Sequence, residues 1–323
     1  MAATIQCLGS LRSISSIACG FRTACTIMCQ SRATNRSRSI YYFSTSAPSS
    51  QQQEQSPDDE FSLSLLDGAK EGIAVMSMRR FRYKNAMGKN LIQKFLDSME
   101  EVKFNNKIRV VVLRSEVPGV FCAGADLKER LKMSPQEVGA FLSKLRLSVT
   151  EFHNLPVPTI AALDGSALGG GLELALACDL RTAASNAKIG LVETGLAIIP
   201  GGGGTQRLPR IVGPSKAKEL IFTSRVMDGW QALEMGVVNH CAEQNDAGDA
   251  AYLQAMKLAE EILPNGPVAL RMAKAAINRG VEVELESGMR FEEAYYAQVI
   301  PTKDRMEGLL AFKEKRKPKY QGH

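Results

Sequence analysis

Gly165-Ser166-Ala167-Leu168-Gly169-Gly170-Gly171-Leu172-Glu173 is the stretch that most restricts how this chain can fold. An apolar run at 157–163 precedes it and reads as a buried strand. Leu174-Ala175-Leu176-Ala177-Cys178 follows it with no polar break. A helix that is apolar on most sides has to be covered on most sides, so strand, small-residue turn and Ala/Leu helix together imply layered α/β structure. Glu173 stands in the first turn of that helix, where an unpaired buried carboxylate would be costly. Such a cost marks a specific ion pair or a functional group. A second glutamate has a similar setting in Gly190-Leu191-Val192-Glu193-Thr194-Gly195, just ahead of Pro200-Gly201-Gly202-Gly203-Gly204-Thr205-Gln206-Arg207. Taken singly, a glutamate beside a glycine turn reads first as a solvated surface group. Two of them converging on one pocket could handle a single water, one polarising it while the other passes a proton.

The front half alternates short strands with helices. Strands are predicted at 72–78, 109–114, 157–163, 180–184 and 187–190. Leu91, Ile92, Phe95, Leu96, Met99 and Val102 have the spacing of one helix face and predict a helix over Lys89–Phe104. Ser134-Pro135-Gln136-Glu137 combines an N-cap, a first-turn proline and a capping-box glutamate, opening a helix that runs to about 152. From 216 onward the pattern is helical, at 216–222, 228–235, 250–263, 267–279, 284–298 and 302–314, with one strand expected at 236–240. The reading is a core over 60–265 followed by a helical packing or assembly region over 266–323.

Residues 1–53 differ in kind. They hold Arg12, Arg22, Arg32, Arg36 and Arg38 among many Ser and Thr, with no Lys and no acid before Glu54. A basic, Ser-rich, acid-free leader is the signature of a mitochondrial transit peptide, and 51–59 reads as a polar linker. Setting those five arginines aside leaves +1 of the formal charge of +6. The basic balance is therefore chiefly a property of the leader and does not argue for a nucleic-acid partner. No apolar run approaches the ~20 residues of a membrane-spanning helix. Beyond the leader, Cys122, Cys178 and Cys241 are far apart in sequence and are expected to be buried thiols.

Two segments could present backbone donors. Val120-Phe121-Cys122-Ala123-Gly124-Ala125-Asp126-Leu127-Lys128 is dominated by small residues where the chain would turn, and Gly169-Gly170-Gly171 opens a helix, where free N–H groups point outward. One N–H from each would make an oxyanion hole. The plainer alternative is that these glycines only permit tight turns and close packing. Other chemistries fit poorly. The 200–206 glycines lack the Gly-Lys-Ser/Thr of a phosphate-binding loop, and Ser166 is not in a Gly-x-Ser-x-Gly elbow. His153, His240 and His323 have no metal-ligand spacing, so no metal is expected.

Phe121 to Glu129, Ala167 to Asp179 and Gly190 to Arg207 together resemble the crotonase (enoyl-CoA hydratase/isomerase) superfamily, with similarity from about 73 to 322. Within it, Ser115-Glu116-Val117-Pro118-Gly119 and the 300–319 tail are similar to the mitochondrial methylglutaconyl-CoA hydratase and AU-rich-RNA-binding subgroup. The resemblance implies a crotonase-like spiral of ββα units and a C-terminal helical trimerisation region, assembled as a homotrimer or homohexamer in the mitochondrial matrix. It assigns the oxyanion donors to the amides of Ala125 and Gly170, and acid–base roles to Glu173 and Glu193. It also draws an acyl-CoA substrate past Ala123, Gly124, Asp126, Leu127, Lys128 and Gly169. Coenzyme A is then part of the substrate, and no separate cofactor is implied. Two departures stand out. Arg79-Arg80-Phe81-Arg82-Tyr83-Lys84-Asn85-Ala86 lacks the proline common in the family. The lysines that mark RNA binders at every fourth position fall here on Lys89, Gln93 and Asp97, which counts against RNA binding because each lost cation is a lost phosphate contact. The implied reaction is syn hydration of an enoyl-CoA, with 3-methylglutaconyl-CoA of leucine breakdown ahead of a general short-chain substrate. The alternative of another class is an RNA-binding protein using Arg79, Arg80, Arg82, Lys84 and Lys89.

Overall fold

The computed structural model describes residues 60–323; the expected leader and linker lie outside the described residues. The chain opens with β1 (Phe61–Leu65), β2 (Ile73–Met78), α1 (Lys89–Phe104) and β3 (Val110–Ser115). Next come β4 (Val120–Cys122), α2 (Leu127–Arg130), α3 (Pro135–His153), β5 (Thr159–Leu163), β6 (Ser166–Leu168) and α4 (Gly170–Leu176). Then follow β7 (Leu180–Ala184), β8 (Ile189–Gly190), α5 (Gly204–Val212), α6 (Pro214–Phe222), α7 (Gly229–Glu234) and β9 (His240–Ala242). Four helices close the chain: α8 (Ala250–Ile262), α9 (Pro267–Gly280), α10 (Leu285–Val299) and α11 (Lys303–Glu314).

Two sheets share these strands. The larger is 6-stranded in the order β1-β2-β3-β5-β7-β9, and the smaller is 3-stranded in the order β4-β6-β8. Among the described residues, β1 pairs antiparallel with β2, and the other strand pairings are parallel. After β1–β2–α1, whose strands both join the large sheet, three successive turns of the chain each lay one strand in the large sheet, one short strand in the small sheet, and then helix. β3–β4–α3, β5–β6–α4 and β7–β8–α5 repeat that step, which is the ββα spiral.

Side-chain alternation divides the core. Val111 and Leu113 of β3 face the main core with α1, α3 and α4, whereas Val110 and Val112 face a smaller cluster formed with Ala255, Met256 and Ala259 of α8. Burial on both faces explains why β2, β3 and β5 are continuous apolar runs. The capping box of α3 is formed: Ser134 N donates to Glu137 Oε2 at 2.8 Å, and Glu137 N donates to Ser134 Oγ at 3.3 Å. Phe141, Leu145, Val149 and Phe152 are the buried stripe of that helix.

Several local expectations are corrected. The strand expected at 236–240 lies at His240–Ala242. Gly236, at φ +81°, ends α7 in a turn where the Val237 and Val238 amides both return to the Ala232 carbonyl. Val237 and Val238 are buried by that turn and only mimic a strand. Residues 166–168, read as part of a glycine turn, are strand β6, and the strand expected at 187–190 shrinks to β8. β1, β4, α2 and α5 were not foreseen as elements, and α6 starts at its first-turn Pro214. Cys122 and Cys178 are buried, but Cys241 is only half-buried, since β9 is an edge strand.

The last helices are attached to the core by a defined strut. Lys274 of α9 donates to Asp179 Oδ2 at 2.7 Å and to the Val157 carbonyl at 2.9 Å. Yet no residue of α9 or α10 is fully buried.

Candidate active site

Two glycine turns meet beneath the small sheet. β4 runs into the loop of Ala123-Gly124-Ala125, and β6 passes through Gly169 into α4. Gly124 adopts φ +96°, and a Cβ there would stand 2.9 Å from the Leu168 carbonyl oxygen and 3.4 Å from Gly170 N. Only glycine lets the two turns touch. The Met87 backbone grips the loop on both sides of Ala125: Met87 N donates to the Gly124 carbonyl at 2.7 Å, and Asp126 N donates to the Met87 carbonyl at 3.3 Å. Ala125 N is left out of that pairing. Gly170 is the first residue of α4, so its N–H has no partner inside the helix. A Cβ built on Gly170 would lie 3.6 Å from Ala125 N, so the two amides are neighbours.

Below them is Glu173, 2 % exposed. Its Oε1 accepts from Gly202 N at 2.8 Å and from Gly204 N at 2.7 Å. A Cβ on either glycine would stand within 3.0 Å of a Glu173 carboxylate oxygen, so both positions have to be side-chain-free to hold it. Glu193 begins the turn after β8 and is 9 % exposed. Its Oε1 lies 3.0 Å from where a Gly169 Cβ would be, and its Oε2 is buried with no hydrogen-bond partner among the described residues.

Burial pushes both carboxyls upward. For Glu173 that push is opposed by the Gly204 and Gly202 amides and by the charge of Arg207, all of which favour the ionised form. Glu193 has less opposition: desolvation, with the neighbouring charge of Glu173, raises it to about 7, against its own backbone amide and the charge of Arg130. The two environments thus separate a hydrogen-bonded carboxylate from a carboxyl able to keep its proton near neutrality.

Ala125, Gly170, Glu173 and Glu193 all line one cavity of about 780 Å³, walled on its apolar side by residues such as Leu142, Leu145, Ile198 and Ile199. Ala123, Gly124, Leu127 and Gly169 line it too. Asp126 and Lys128 do not. Asp126 turns inward, where its carboxylate accepts from Arg80 Nη1 at 2.8 Å and caps α2 through Glu129 N at 3.0 Å. The Lys128 side chain is exposed beside the cavity. The basic face around 79–89 is also less than it looked. Arg80 is 12 % exposed and paired with both Glu60 and Asp126 at 2.8 Å, and Arg79 pairs with Glu116 at 3.0 Å.

Four contributors escaped sequence reading: the Gly202 and Gly204 amides, Arg130 and Arg146. The four consecutive glycines are the available signal for the two amides: they lack the pattern of a phosphate loop, but a helix N-terminus holds a protein carboxylate equally well.

The paired carboxylates, the adjacent free amides and the ββα spiral define a class. The enoyl-CoA hydratase/isomerase family model matches residues 68–323, and the chain belongs to that family. Among its relatives, the human mitochondrial methylglutaconyl-CoA hydratase is 60% identical over 269 residues, covering 83% of this chain and 79% of that one. The mouse mitochondrial enoyl-CoA hydratase domain-containing protein 2 is 54% identical over 263 residues, 81% of this chain and 89% of the relative. The crystal structure of an enoyl-CoA hydratase from Bacillus anthracis superposes with a TM-score of 0.77 at 44% identity, covering 82% of this chain and 100% of that one.

Proposed function

We propose that this chain is a hydro-lyase that adds water syn across the 2,3 double bond of an enoyl-CoA thioester, with 3-methylglutaconyl-CoA of leucine degradation as its preferred substrate. One observation carries the chemistry: two buried carboxylates with opposed hydrogen bonding share a cavity with two adjacent, unengaged amides. Sixty per cent identity to a methylglutaconyl-CoA hydratase supports the choice of substrate.

In this reading the thioester oxygen sits between the Ala125 and Gly170 N–H groups. Charge builds on that oxygen as water attacks the β-carbon, and one such donor is worth ~3–4 kcal/mol in the transition state. Glu173, held as carboxylate by Gly202 and Gly204, orients the water and takes one of its protons. Glu193 gives its own proton to the α-carbon on the same face. The new C–O and C–H bonds are formed from water and one stored proton, and the proton left on Glu173 returns to Glu193 to reset the pair. Dehydration uses the same groups in reverse. Ala123, Gly124, Leu127 and Gly169 would flank the coenzyme A arm, and no cofactor beyond the substrate is required.

The reading extends to a homotrimer or homohexamer in the mitochondrial matrix. Support comes from the acid-free, arginine-bearing leader, from relatives named as mitochondrial, and from the apolar residues that the C-terminal helices leave uncovered. RNA binding forms no part of it, because Arg80 is held by carboxylates inside the protein. A panel of enoyl-CoA thioesters differing in branching and terminal charge tests the assignment. The expected result is a higher kcat/KM for 3-methylglutaconyl-CoA than for crotonyl-CoA, and equal or lower efficiency would sink the substrate choice.

A further inference from the structure

A diacid thioester brings a second negative charge into a cavity that already holds Glu173 and Glu193. Without a cation to receive it, that charge would be desolvated beside like charges, which disfavours binding. Two arginines line the cavity, Arg130 and Arg146. Arg146 has a structural task, since its Nε donates to the Gly201 carbonyl at 2.8 Å and so braces the glycine run that holds Glu173. Arg130 has none. It is the last residue of α2, the short helix that grows directly out of the Ala125 loop. Among the described residues its Nε is buried without a hydrogen-bond partner, and no ion pair involves it. Its Cζ lies over the Phe141 ring, 5.8 Å from the centroid, a contact with one face of the guanidinium that engages none of its N–H donors. Its charge nevertheless reaches the reacting end of the cavity, where it opposes the rise in the Glu193 pKa.

A buried guanidinium nitrogen with nothing to donate to is an unfavourable arrangement that a bound carboxylate would relieve. Guanidinium is also the side chain whose fork matches a carboxylate in two parallel hydrogen bonds. From this the geometry points to Arg130 as the specificity-determining residue that receives the distal carboxylate of a diacid enoyl thioester, selecting it over neutral acyl chains. The inference rests on the hydratase reading above and names the group that would give it its substrate class.

Glutaconyl-CoA and crotonyl-CoA differ only in the distal carboxylate, so the ratio of their kcat/KM values isolates its recognition. Losses common to both substrates, including any that follow from a changed Glu193 environment, cancel in that ratio. In Arg130→Met the ratio should fall by about 100-fold, chiefly through KM for the diacid, while Arg130→Lys should retain part of it. Arg130→Gln provides the same comparison where the methionine variant fails to fold. A ratio within threefold of the wild type in the neutral variants would overturn the inference. Failure of the underlying reading looks different: it shows in the wild-type protein, as absent hydration or as no preference for either diacid thioester.

Discussion

Glu193 is the residue whose chemistry depends most on its surroundings. Burial, with the charge of Glu173 adding to it, raises its carboxyl to about 7, and one of its oxygens has no hydrogen bond among the described residues. If it is the proton donor, hydration needs the pair of glutamates to carry one proton between them. Raising the pH through about 7 removes that proton, so kcat/KM should fall on the alkaline side; acidification that protonates Glu173 should lower it too. Dehydration starts from the other arrangement of the same single proton. The hydration and dehydration profiles should therefore superimpose, as the titration of a coupled pair. Mirror-image profiles would contradict the assignment. Either Glu173→Gln or Glu193→Gln should lower hydration by ~10²–10⁴-fold with the fold retained, the usual contribution of a positioned acid or base. A variant that kept near wild-type turnover would remove that residue from the mechanism.

The elements hold these residues through contacts that allow very little extra volume. A Cβ on Gly171, the second residue of α4, would lie 2.2 Å from the Cys122 carbonyl oxygen of β4. Gly171→Ala would push α4 off the small sheet and should cost about 1–3 kcal/mol in chemical denaturation, as overpacked cores do. Gly139 provides the contrast. It lies inside α3 with nothing within 4 Å of its would-be Cβ, and Gly139→Ala should stabilise by about 0.5–1 kcal/mol. If the first substitution proved neutral, the close packing of α4 on β4 would not be a constraint. This scale also separates what sequence can reveal from what it cannot. The capped α3, the continuous strands of the large sheet and the first-turn position of Glu173 are local patterns, and all three are visible along the chain. β4, β6 and β8 are two or three residues long and exist only because distant segments pair, so no local periodicity marks them. Arg130 is similarly opaque: on a four-residue helix, nothing in sequence separates an arginine that lines a cavity from one in solvent.

For the molecule as a whole, the C-terminal helices are its least self-sufficient part. Val281, Leu285 and Phe312 are 69%, 81% and 87% exposed, and α9 and α10 bury no residue fully within the chain. Apolar surface of that extent is usually covered by another copy. Charges introduced by Leu285→Glu and Phe312→Glu should move the sedimentation-equilibrium mass from a multiple of the chain toward that of a single copy, 35.1 kDa for the 323 residues. An unchanged assembly would locate the subunit contacts elsewhere. At the opposite end of the fold, Glu60 binds Arg80, Arg80 binds Asp126, and Asp126 is the next residue after the Ala125 amide. Any cleavage ahead of the fold would consequently have a boundary it should not cross: a cut that spares Glu60 leaves this chain of charges closed, while one that removes it would loosen the grip on a distant amide and be registered as slower turnover.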